Sequence, residues 1–318
     1  MRALLSTLVL LAVPLAAIDA ADRVFRLAEL GASPATLEYT REVTVPELAK
    51  LGFRVGGNLV LEERAGDANV VDALAKELVQ LKPDAIVAIG GDAIRAAREA
   101  TSSIPIVVFG SLPRGEGAPS SLAHPGGNVT GVVILGTALD GKRVQLLHET
   151  VPNAHRIAGL FIPWALYRQE SERQMREVAD RLGLELLAFD AKGPDEYPAA
   201  FAAMQAAGAE GLVIMAHADL NRDKVQLAKL AIEKGLPTVC EWLEMAEAGC
   251  LLGYGPNQKE MRVSLARYIA QILKGKKPGE LPIEQPTRYS FGINLKTAKT
   301  LGVTVPQSLL AGADEVIE

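Results

Sequence analysis

Short apolar runs alternate with amphipathic stretches along almost the whole chain. "VVDALAKELVQL" (70–81) places Val70, Leu74, Leu78 and Leu81 on one face at helical spacing, which predicts a helix. "RVFRLAEL" (23–30), "NLVLEERA" (58–65), "AIVAIG" (85–90) and "IPIVVFG" (104–110) are short apolar runs with turn residues around them and read as strands. Repetition of strand, helix and strand predicts a parallel sheet with helices on both faces. A second block of the same make-up follows: helix 138–150, "RIAGLFIP", helix 168–182, "LELLAFDA", helix 195–207, "GLVIMAH", helix 222–234 and "PTVCEW".

Two glycine-rich strands interrupt this alternation, "HPGGNVTGVVIL" (124–135) and "GCLLGYGP" (249–256). Crossovers there would join two similar blocks by a hinge. The expected fold class is α/β, with two Rossmann-like lobes, each on a parallel sheet. The expected division is residues 21–130 for the first lobe and 131–250 for the second. Residues 251–280 would return to the first lobe, and 281–318 would end on the second. Ligands of open α/β sheets bind at the carboxyl ends of the strands, so a cleft between the lobes is the expected site.

The N-terminus changes the picture of where the chain works. Arg2, the apolar run "ALLSTLVLLAVPLAAI" and the small residues after it form a signal-peptide pattern, with cleavage expected after Ala20. Periplasmic export is the expectation. The 318 residues are 49% hydrophobic and 22% charged, with a formal net charge of −5. Lys and Arg are scattered, which argues against nucleic acid and anionic membrane surfaces as partners. The two cysteines, Cys240 and Cys250, are compatible with a disulfide in an oxidising compartment, or with two buried thiols on neighbouring strands. Together with four scattered histidines they make no metal-ligand pattern, and no cofactor is expected.

Catalytic signatures are missing from the chain. Neither G-x-G-x-x-G nor G-x-x-x-x-G-K-[ST] occurs, and Asp92 puts a carboxylate where a phosphate would have to sit. Ser111 in "FGSLPRG" lacks the flanks of a nucleophile elbow. His217 and Asp219 in "MAHADL" could be read as base and orienter, but a strand end followed by a helix more often carries wall and capping residues. Glu62 and Glu63 point to opposite faces of a strand. The expectation is a binding protein, not an enzyme.

"LGFRVGGNLVLEER", "LAKELVQLKPDAIVAIG", "GKRVQLLHETVP", "HPGGNVTGVVIL", "GYGPN", "INLKTAKTLGVTVP" and the terminal "ADEVIE" resemble one known family in order and spacing. These are the substrate-binding proteins of ABC transporters that include the tryptophan/tyrosine-binding type. The resemblance runs over roughly 45–318. It implies a type I periplasmic-binding-protein-like fold and an exported protein that delivers a small organic solute to an inner-membrane permease; a monomer is expected. A periplasmic sensor reporting to a membrane receptor is the alternative.

Two departures stand out. Asp92 occupies a turn where members carry small neutral or hydroxyl residues. Pro46 predicts a first helix that begins only near Thr44, with Glu47 completing a capping box.

The expected walls of the cleft are the segments after each strand. In the first lobe these are Ser33, Gly91, Asp92, Gly110 and Ser111. In the second they are Trp164, Tyr167, His217, Asp219, Glu241 and Trp242, with Tyr254 at a crossover. Asp92 is either a helix cap or the counter-ion of a cationic group on an amino acid-like solute. The two tryptophans would favour a flat apolar ligand or a cation against a ring face.

Overall fold

The computed structural model describes residues 23–112, 121–134 and 136–318. The expected export segment lies outside them. Among the described residues, no helix is long and apolar enough to cross a membrane, and no group of three His, Cys, Asp or Glu could hold a metal ion.

The first sheet has five parallel strands in the order β2-β1-β3-β4-β5, formed by β1 (Phe25–Gly31), β2 (Leu59–Ala65), β3 (Ala85–Ile89), β4 (Ile106–Gly110) and β5 (Val129–Val133). The inner strands β3 and β4 are buried at every position, because helices cover both faces; the edge strand β2 is mostly half-exposed. The second sheet repeats this order in β6 (Arg156–Phe161), β7 (Glu185–Asp190), β8 (Gly211–Ile214), β9 (Thr238–Cys240) and β10 (Leu252–Pro256), which run β7-β6-β8-β9-β10. Two further strands extend it: β11 (Tyr289–Asn294), antiparallel to β10, and β12 (Glu315–Ile317), parallel to β11. The order reverses between β1 and β3 in one lobe and between β6 and β8 in the other. Such switch points open a crevice at the strands' carboxyl ends.

Three crossovers join the lobes, as many as the division into four segments requires. The first follows β5. The second follows β10, which belongs to the second sheet, so the return segment expected from 251 begins after Pro256 with the helix Gln258–Leu273. Glu284 then pairs with β5 through bonds to Gly131 and Val133, and the chain crosses a third time to reach β11.

The first helix departs from expectation. It begins at Pro34 and runs through Pro34–Tyr39, a π turn at Thr40–Thr44 and Val45–Lys50. Thr44 is helical and makes no side-chain cap, so no capping box forms. The Val45 N–H bonds back to the Thr40 carbonyl, one residue further than in an α-helix. That widened turn accommodates Pro46, which has no N–H to donate and a ring that would crowd a regular turn.

Candidate functional site

The carboxyl ends of the two sheets face each other across a cleft of about 920 Å³, part of it open to solvent. Gly90–Asp92 after β3 and Phe109–Ser111 after β4 supply the first-lobe wall. Ala165–Tyr167, Met215–Ala218, Glu241 and Trp242 supply the second, and Gln258 and Arg262 come from the returning helix. Gly90 has a φ of 93° and Gly110 one of 138°, and a Cβ on Gly110 would stand 3.2 Å from the Gly90 nitrogen. Glycine at both places lets β3 and β4 turn side by side into the wall.

Asp92 enters the helix Gly91–Ala100 in its first turn, but Gly90 is the N-cap residue and no side-chain cap forms. Among the described residues, its carboxylate has neither a hydrogen bond nor an ion pair. Burial raises the carboxyl above the usual range, against the pull of Arg95. A half-buried carboxylate without a partner, facing a cleft, is a site for a cationic group.

Opposite it stands His217. Its Nδ1 accepts the Asp219 N–H at 3.2 Å, so the neutral ring carries its proton on Nε2. Burial pushes the imidazole down to about 4, and the ring is neutral at pH 7. Asp219 itself does not line the cleft; its carboxylate pairs with Arg222 at 2.8 Å and stands 3.6 Å from His217 Nδ1. Its contribution is to orient His217 through its backbone.

Glu241 and Trp242 follow β9, and a disulfide from Cys240 to Cys250 ties the strand just before them to the chain entering β10. Burial pushes Glu241 up to about 7, opposed by Arg143. Arg143 is wholly buried, bonded to Asp140 at 2.6 Å and to the Tyr254 carbonyl at 2.9 Å.

Eight of the expected wall residues line the cleft: Gly91, Asp92, Gly110, Ser111, Tyr167, His217, Glu241 and Trp242. Ser33, Trp164, Asp219 and Tyr254 do not. Ser33 is buried beneath the first helix, with its carbonyl holding the Thr36 hydroxyl at 2.6 Å. Trp164 packs on the second lobe's core, because the turn closed by the Ala165 N–H on the Ile162 carbonyl carries it away and brings Tyr167 over the cleft. Tyr254 stacks on Tyr289 with ring centroids 6.2 Å apart.

Tyr39, Phe109, Asn221, Gln258 and Arg262 also line the cleft and were not expected. Tyr39 lies on the part of the first helix that precedes the start expected near Thr44. Gln258 and Arg262 come from a helix whose periodicity says nothing of which lobe it meets. The Asn221 Oδ1 and Gln258 Oε1 are buried without partners.

A family model described as ABC transporter substrate binding protein matches residues 37–317. The chain belongs to that family. Its proteins are extracytoplasmic. This substrate-binding protein is 22% identical over 270 residues to a tyrosine-binding protein of Clostridioides difficile, covering 84% of this chain and 77% of that one. In fold it is similar to a conserved domain protein of Vibrio cholerae, with a TM-score of 0.83, 24% identity and coverage of 92% of this chain and 100% of the other. A Streptococcus pneumoniae ABC domain in complex with L-Trp gives a TM-score of 0.82 at 23% identity, with the same coverage. The expected two-lobed α/β fold is therefore the fold of this family's neighbours.

Proposed function

We propose that this substrate-binding protein captures an amino acid-like zwitterion in the interlobe cleft and hands it to a membrane permease. The observation that carries this reading is the set of unsatisfied polar groups in an aromatic-lined cleft. Among the described residues, Asp92 on the cleft wall makes no hydrogen bond or ion pair, and the buried Asn221 and Gln258 oxygens accept no hydrogen bond. Buried acceptors left unpaired cost stability that a ligand ammonium would return. Tyr39, Phe109, Tyr167 and Trp242 supply the apolar surface for a flat side chain. The relatives named for tyrosine binding and solved with L-Trp are consistent with such a solute. Export with cleavage near Ala20 and work as a monomer complete the proposal.

A thermal-shift screen of the purified protein against the amino acids and their amines tests it. A ligand at about 100 times its Kd adds roughly 2.7 kcal/mol. Silence across the panel would remove the reading. Loss of uptake of the same ligand on deletion of the gene would establish the transport role.

A further inference from the structure

Arg262 lies on the helix Gln258–Leu273 where it meets the cleft, and is 2% exposed. Its Nη1 donates to Thr40 Oγ1 at 2.8 Å, and that hydroxyl donates in turn to Glu29 Oε1 at 2.7 Å. Nε has no hydrogen-bond partner, and among the described residues no carboxylate forms an ion pair with this guanidinium. Its Cζ stands 4.4 Å from the Phe109 ring centroid and 5.8 Å from that of Tyr39. These rings stabilise the cation without neutralising it.

Glu29 does not neutralise it either. It reaches the guanidinium only through the Thr40 hydroxyl and forms no ion pair with it, while burial pushes its carboxyl up to about 8 and Arg262 down to about 10. The cleft therefore contains a buried cation with donors to spare. A charge in that position is costly unless an anion completes it. The planar guanidinium fork fits a carboxylate, and a charge-assisted pair in a low-dielectric cleft is strong.

We propose that Arg262 receives the carboxylate of the solute while Asp92 receives its ammonium, which makes the protein selective for amino acids over amines with the same side chain. This rests on the reading that the cleft captures an amino acid-like zwitterion. It goes further by assigning the acid end to one residue, and by giving Thr40 and Glu29 the task of positioning that residue.

The test compares matched ligands on the unaltered protein by calorimetry: L-tyrosine with tyramine, and L-tryptophan with tryptamine. The amine is expected to bind at least thirtyfold more weakly than its amino acid. An amine that binds within threefold of the amino acid would overturn the role of Arg262 and leave the ammonium site at Asp92 standing. Absence of binding by all four would overturn the functional reading and this inference together. Arg262→Met should bring the amino acid's affinity down to the amine's and leave the amine's unchanged. A folded variant that weakens both equally would also overturn the proposal. Should that variant fail to fold, the matched ligands on the unaltered protein still decide.

Discussion

The Tyr167 hydroxyl donates to the Ser111 carbonyl at 3.2 Å, tying the second lobe to the rim of the first. The Tyr167 ring also lies over Gly91, where an added Cβ would meet its Cε2 at 3.1 Å. A contact made only when the lobes are together favours the closed state and, with it, the bound ligand. Tyr167→Phe keeps the ring and removes the bond. A net contribution of about 0.5–1.5 kcal/mol predicts a Kd raised by roughly 2- to 13-fold, with the change mainly in dissociation rate. Stopped-flow and calorimetric titration would measure it, and an unchanged Kd would show the bond to be irrelevant to closure.

Asp92→Asn should weaken an amino acid or amine at least tenfold, about 1.4 kcal/mol. The melting temperature of the free protein should move little. A carboxylate gains from the helix terminus and loses from burial, and these oppose each other. A large loss of free-state stability with no loss of affinity would make Asp92 a structural residue instead.

Acid–base behaviour follows from three buried groups. Glu29 and Glu241 have folded values of about 8 and about 7, above the ordinary 4.5, so the folded state binds more protons than the unfolded one between these limits. Their contribution is full below about pH 4.5 and is lost as pH rises through 7 to 8. His217, lowered from 6.5 to about 4, acts in the opposite sense: its contribution is present above about pH 6.5 and is lost as pH falls toward 4. Between pH 6.5 and 8 these two carboxyls lose their protons, and the stability they contribute should fall. Glu29→Gln should flatten that fall in denaturant titrations and be more stable than the unaltered protein at pH 8.5. An equal slope in both would rule out Glu29 as a source.

The Cys240–Cys250 bridge has a sequence separation of 10 and anchors the wall carrying Glu241 and Trp242. Replacing both cysteines with serine should cost about 2–3 kcal/mol through the freed loop in the unfolded state. Affinity should drop as well, because the wall loses its tether. Urea midpoints and ligand titrations of the reduced and oxidised protein would separate the two effects.

The alternation of apolar runs and amphipathic helices was enough to predict two α/β lobes and a cleft at the strand ends. Parallel βαβ units bury both faces of their strands, and that leaves a local signature in the chain. Residues that directly end a strand, such as Asp92, Ser111, His217 and Trp242, were legible for the same reason. Arg262, Gln258 and Tyr39 were not, because their place in the cleft depends on where a crossover helix docks and on a π turn that absorbs Pro46. Trp164 and Tyr167 differ by three positions, yet one turn decides which of them lines the cleft. Local periodicity determined the elements and their order. Which side chains meet across the cleft, and which buried charges go unpaired there, was decided by long-range packing that no short stretch of sequence encodes.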